Sequence, residues 1–255
     1  MSTPRWSLLV PLAALVLVTA CSGGPDPAPA SPQPPPTTTV APAPAPAPTT
    51  PVTPTTADPV VSEIPDEQWD RIVATGAWRE GCPVGRDDLR VLTVHHVDLA
   101  GEVQRGTLVA HRDVMASLSR IFTSLFDAGF PIERMEPVET YGGDTLASLQ
   151  ANNTSAYNCR RPDQINAPVL ESPHANGRAI DINPDLNPWM DLRCRCWSPR
   201  DTHAERTPGP GKILPGGPEV ALFEDEGWIW QNIDVPDYMH FDTGYPSAPW
   251  TSPNG

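Results

Sequence analysis

Positive charge is scarce in these 255 residues: 17 Lys and Arg face 31 Asp and Glu, for a net charge of −14. Arg5, Asp26 and Asp58 are the only charged residues before position 61, so residues 61–255 carry −13. A domain that acidic repels phosphate backbones, which excludes nucleic acid as the expected partner. A membrane-length apolar run is also missing. The apolar stretch Leu8–Val18 is broken by Pro11 and is too short for a spanning helix. No G-x-S-x-G nucleophile elbow occurs, so nothing supports a serine hydrolase. No internal repeat is visible, and Lys212 is the single lysine.

What the sequence has in excess is proline, 34 residues of it, and 14 of these lie between Gly24 and Val60. The chain therefore divides into parts. Residues 1–20 read as an export signal, with Arg5 as a short positive region, the Leu8–Val18 apolar core, and then Val18-Thr19-Ala20-Cys21. That last run resembles a bacterial lipobox, with Cys21 lipidated and placed at the mature N-terminus. An ordinary cleaved signal with an incidental cysteine is the alternative. A lipid anchor there would hold the protein on the outer face of the bacterial cytoplasmic membrane, in the cell envelope. Residues 21–60 are a Pro/Ala/Thr-rich disordered linker in which polyproline II segments are expected and no core is possible. Its Thr-Pro clusters are open to glycosylation.

Residues 61–255 read as one α+β domain, with a small antiparallel sheet and flanking helices. Trp69–Trp78 suits a short opening helix. Leu89–Asp98 is β-branched and strand-like, and Gly101–Val109 is expected to pair with it. Val114, Met115, Leu118, Ile121, Phe122, Leu125 and Phe126 recur at helical spacing, so Arg112–Ala128 is the clearest helix. Gly129 and Pro131 end it. Ile180–Ile182 and Met239–Phe241 are short strand candidates.

Chemistry concentrates in three segments: Ser172-Pro173-His174-Ala175-Asn176-Gly177-Arg178-Ala179-Ile180-Asp181, Asp237-Tyr238-Met239-His240-Phe241-Asp242, and Asn158-Cys159-Arg160. Two histidines and an aspartate could converge on a metal, with a carboxylate to spare beside the second histidine. A catalytic zinc takes three protein ligands and keeps one position open. In a strand, His240 and Asp242 share a face. Spacing alone favours a packed or surface histidine over a ligand. His95, His96, His111 and His203 are read as structural or solvated, and at most one of the adjacent pair His95 and His96 points inward.

The pattern S-x-H-x-x-G-x-A-x-D followed by D-x-x-H-F resembles the D-alanyl-D-alanine carboxypeptidase-like zinc peptidases, which share a fold with the Hedgehog signalling domain. The resemblance runs from about Cys82 to Phe241, through Phe130-Pro131-Ile132, Tyr141-Gly142-Gly143-Asp144 and Asn153–Arg160. It implies that His174, Asp181 and His240 bind Zn2+. It also implies that Asp237 is the general base and that Arg160 steadies the oxyanion, with Ser172 and Asp242 in supporting or substrate contacts. Members often carry Glu at the base position. Many also carry Gly-Gly-x-Trp after Trp-x-Trp, whereas Trp228-Ile229-Trp230 is followed here by Gln231-Asn232-Ile233-Asp234. The implied activity is hydrolysis of peptidoglycan peptides by a monomer, as carboxypeptidase or endopeptidase. A non-catalytic zinc-containing wall-binding domain is the alternative.

Four cysteines remain in an oxidising compartment, Cys82, Cys159, Cys194 and Cys196, which suggests two disulfides. A one-residue loop disfavours a bridge between Cys194 and Cys196. Each is then expected to join Cys82 or Cys159, and the choice between the two arrangements stays open. A structural cysteine-rich zinc site is the other possibility.

Overall fold

A computed structural model describes residues 53–161, 164, 170–231 and 233–255. The export signal, Cys21 and all of the linker before residue 53 lie outside the described residues. Among those described, no helix is long and apolar enough to cross a membrane.

The packed chain begins before the expected boundary at 61. Ala57 is buried and its carbonyl accepts a hydrogen bond from the His95 amide at 2.7 Å. Strand β1 (Val60–Ser62) follows, then helix α1 (Asp66–Ala74). This helix is shifted from the expected 69–78 because Pro65 stands at its N-cap and Gly76, at φ 74°, turns the chain just past its end. Strands β2 (Leu89–Val97) and β3 (Val103–His111) form an antiparallel pair with β1 on the outer edge of β2. His96 is buried and His95 is not, as strand alternation requires. His111, expected to open the next helix, instead closes β3, and its side chain accepts the Asp113 amide at the start of a short 3₁₀ turn. Helix α2 (Met115–Asp127) then lays Leu118, Ile121, Phe122 and Leu125 on β2.

The rest of the domain is assembled from short elements. Strand β4 (Arg134–Met135) and helix α3 (Thr145–Gln150) lead to strand β5 (Asn153–Thr154), which pairs with β4 in parallel. Next come strand β6 (Ala179–Asp181), the hairpin of β7 (Trp189–Asp191) and β8 (Cys196–Ser198), helix α4 (Pro218–Asp225), and strands β9 (Ile229–Trp230) and β10 (His240–Asp242). Strand β10 lies between β6 and β9, antiparallel to both. The fold is thus mixed α+β with small antiparallel sheets.

One core joins the two three-stranded sheets. Ile180 from β6 and Phe241 from β10 enter it beside Leu92, Leu108, Leu118 and Phe122. Phe223 of α4 stacks on Phe241 with ring centroids 3.9 Å apart. A second cluster gathers Ile72, Leu89, Val109, Tyr157 and Ala175 behind the Cys82–Cys159 disulfide.

That disulfide, and a second between Cys194 and Cys196, overturn the expected pairings. The objection to a Cys194–Cys196 bridge assumed an ordinary chain path. Arg195 between them has φ 55°, which folds the tip of the β7–β8 hairpin back and sets the two Cα atoms 5.2 Å apart, inside the bridging range.

A buried ion pair ties these layers together. The Arg178 guanidinium, 5% exposed, donates to both oxygens of Asp113, with the closest contact at 2.7 Å. The Trp250 amide donates to Asp113 as well, at 3.1 Å. Burial opposes ionisation of Asp113, but the neighbouring His111 and the hydrogen bonds from Arg178 and Trp250 outweigh it and lower its pKa to about 2. A carboxylate lowered in the folded state stabilises fully above its unfolded pKa of about 4, and that contribution drains away as pH falls through 2. Asp113→Asn should therefore cost about 2–3 kcal/mol at pH 7 by stranding Arg178. Urea unfolding across a pH series should show the gap to wild type closing between about pH 4 and 2.

Candidate metal centre

Strand register builds most of the centre. His240 of β10 stands directly opposite Asp181 of β6, and Phe241 opposite Ile180. The alternation that sends Phe241 and Ile180 into the core turns His240 and Asp181 to the other face together. His174 arrives from the preceding loop. Its carbonyl accepts the amides of Asn158 and Gly177, and the Gly177 carbonyl in turn accepts the His111 amide. Gly177 has φ 68°, and a Cβ there would lie 2.7 Å from the His111 nitrogen, so this tight turn admits glycine alone.

The three side chains converge. His174 Nε2 lies 3.1 Å from His240 Nδ1, His240 Nδ1 lies 3.2 Å from Asp181 Oδ1, and Asp181 Oδ1 lies 3.3 Å from His174 Nε2. Three donors about 2.0–2.1 Å from a tetrahedral zinc stand about 3.3–3.4 Å apart. The triangle fits that geometry closely, and its two nitrogens and one oxygen are donors zinc accepts. The outer ring atoms are also held. His174 Nδ1 donates to the Ala156 carbonyl at 2.7 Å, and His240 Nε2 donates to Asp242 Oδ2 at 3.0 Å. Each bond leaves the nitrogen of the triangle with its lone pair, as a ligand requires. Asp242, 1% exposed, is fixed by accepting the Gly244 amide at 2.7 Å.

Beside the triangle sits Asp237. Its amide donates to Gln231 Oε1 at 3.2 Å, and Trp189 of β7 bridges to it. Its Oδ1 is buried without a hydrogen-bond partner. Burial, reinforced by the carboxylates of Asp181 and Asp242, raises its pKa to about 7 against the pull of His240 and Arg160. A carboxylate poised there can take up and release a proton near neutrality.

Arg160 is held by its backbone. Its φ is 55°, its amide donates to Asn158 Oδ1 at 2.9 Å, and its carbonyl accepts from the Arg79 guanidinium. The Cys82–Cys159 disulfide anchors the residue before it. Its side-chain Nε is buried and unpartnered. Burial pulls the Arg160 pKa down, while the charges of Asp181 and Asp237 work the other way. Arg79 had no motif to announce it, since it lies 81 residues before the carbonyl it clamps.

A family model described as D-alanyl-D-alanine carboxypeptidase matches residues 166–243. Over residues 166–243 the chain is similar to the D-alanyl-D-alanine carboxypeptidase family. This family segment contains His174, Asp181, Asp237, His240 and Asp242, whereas Arg160 precedes it. No curated protein and no solved structure shows significant similarity to the chain.

All of these residues open on one cavity of about 510 Å³, which the carboxypeptidase-family segment shares with α3. Ser172 lines the same cleft, and its carbonyl accepts from the Asn176 amide and side chain. Buried carboxylates of Asp181, Asp237 and Asp242 gather beside the two histidines of the triangle, and buried negative charge of that kind favours a cation. Two substitutions check the assignment. His174→Ala should abolish zinc retention in native mass spectrometry, and retention of a full equivalent would refute the ligand set. Asp242→Asn should weaken zinc about 10- to 100-fold in competition with a chelating dye, because it frees the His240 ring.

Proposed function

We propose that the protein is an envelope-anchored zinc peptidase that hydrolyses peptide bonds of peptidoglycan, in a domain of the Hedgehog/DD-peptidase architecture. The observation that carries the chemistry is the 3.1–3.3 Å donor triangle with a pKa-raised carboxylate in the same cleft. The peptidoglycan substrate is supported by the family match and by the ordered motifs outside it. The lipobox-like Cys21 and the proline-rich linker support the anchor and a position in the cell envelope.

His174, Asp181 and His240 would hold the ion. Zinc, when bound, polarises a scissile carbonyl and acidifies water. Asp237 accepts the proton of the attacking water and returns it to the leaving amine. Arg160, held at the cleft by its disulfide-anchored backbone, donates to the oxygen on which negative charge develops. The walls of the cleft orient the peptide and reduce competing water.

Purified domain incubated with muropeptides should produce fragments of reduced mass, and a chelator should stop it. Stoichiometric zinc with no cleavage would favour the wall-binding alternative. Asp237→Asn should keep zinc and lower kcat by about 10²–10⁴-fold. Arg160→Ala should lower it by about 10²–10³-fold. Because Asp237 works as its carboxylate, activity should fall on the acid side as it protonates. Its pKa is about 7, and a bound cation favours the ionised form, so the acid limb should lie at or below that value. A pH profile of kcat/KM with no acid limb would move the base role elsewhere.

A further inference from the structure

The hairpin β7–β8 supports Asp237 from both of its strands. On the β7 side, the Met190 amide donates to the Pro236 carbonyl at 2.8 Å and the Tyr238 amide donates to the Pro188 carbonyl at 3.4 Å, so the two segments run as a ladder around Asp237. On the β8 side, Trp197 stacks on Tyr238 with centroids 5.6 Å apart and planes 16° apart. Arg206 covers Tyr238 at 4.4 Å from the ring centre. Trp189 and Ser198 also line the cleft.

This hairpin has only three residue pairs, the last of them Asp191 opposite Cys196. A two-stranded ribbon of that size is marginal without a clamp. Two clamps close it. Asp191 accepts from the Arg193 amide and guanidinium, and the Cys194–Cys196 bridge locks the turn. Residues 192–196 are all exposed. The other disulfide differs, since Cys159 is 2% exposed and packed in the second core cluster. Attack on a disulfide requires access to a sulfur, which the exposed tip gives and the buried Cys159 does not.

The geometry points to a thiol-exchange site at Cys194–Cys196 whose redox state sets how firmly Asp237 is positioned. A low-molecular-weight thiolate attacks one Sγ. The Sγ–Sγ bond breaks, its electron pair goes to the other sulfur, and that sulfur takes a proton. A second thiol resolves the mixed disulfide, so the protein gains two electrons and two protons and the reductant leaves as its own disulfide. The opened turn loosens the hairpin, and Asp237 loses its fixed place while His174, Asp181 and His240 keep theirs. The effect on turnover rests on the zinc-peptidase reading; the exchange site and its coupling to residues 236–238 do not.

Full-length folded protein treated with reduced glutathione, then alkylated and mapped by mass, should carry label on Cys194 and Cys196 well before Cys82 and Cys159. Hydrogen exchange should speed up at the Met190 and Tyr238 amides after reduction. Turnover of muropeptides should fall several-fold in kcat with KM and zinc content unchanged, and reoxidation should restore it. The double variant Cys194→Ser with Cys196→Ser should show the low kcat and ignore the thiol. Equal labelling of all four cysteines, unchanged exchange at 190 and 238, or a double variant with wild-type kcat would each overturn the proposal. Oxidised wild type that cleaves nothing would sink the peptidase reading instead, and labelling with hydrogen exchange would still decide the switch.

Discussion

Everything at the metal centre depends on one cross-strand pair, His240 opposite Asp181. Each of these residues sits next to a core-facing anchor on its own strand, Phe241 beside His240 and Ile180 beside Asp181. Phe241 and Ile180 are both 0% exposed, and Phe241 is sandwiched between Phe223 and the helix-covered sheet. A slip of one residue would turn the histidine into the apolar core and the phenylalanine towards the cleft, so the hydrophobic term that holds β10 in register also holds the geometry of the triangle. The donor triangle is therefore rigid because of the core beneath it, before any ion contributes.

Charge is the second constraint. The centre concentrates Asp181, Asp237 and Asp242 within one cleft, a costly arrangement unless cations compensate it. Arg160 and Arg161 both line the cleft, and the field of Arg160 opposes the burial that raises Asp237. The compensation is partial, and it leaves the Asp237 pKa at about 7. Two structural devices far from the ligands maintain that balance. The Cys82–Cys159 bridge and Arg79 fix Arg160 from one side, and the β7–β8 hairpin fixes Asp237 from the other.

Elements whose signal is periodic were legible in the amino-acid sequence. The α2 stripe and the β2–β3 pair appeared within a few residues of their expected limits, and the two short site strands were displaced by about one residue. The convergence of His174, Asp181 and His240 was not legible from spacing, since a His followed seven residues later by an Asp is common. The family motif supplied what spacing alone left open. What escaped is non-local or conformational. The Arg178–Asp113 pair spans 65 residues, and no local pattern marks either partner. The Cys194–Cys196 bridge depends on a positive φ at Arg195, a conformation that sequence disfavours for arginine and that only the closed hairpin imposes. The start of the packed chain was placed late because Ala57 sits in proline-rich composition, while its burial is decided by the groove beside β2.

The same contrast separates the site sheet from the loop that follows it. The register of the sheet is set by buried apolar residues. The loop around Asn183 and Asn187 draws its stability from side-chain amides that replace backbone ladders. Asn183 donates to the carbonyls of Pro131 and Gly211 and accepts the Glu133 amide, while Asn187 accepts the Ile213 amide and the Arg206 guanidinium. Both asparagines are 0% exposed, so each unmade bond would cost the full desolvation of a polar group. Arg206 extends this network to Tyr238 and hence to the segment that carries Asp237. A loop held this way can place Asp237 as firmly as a strand does, provided every member stays satisfied.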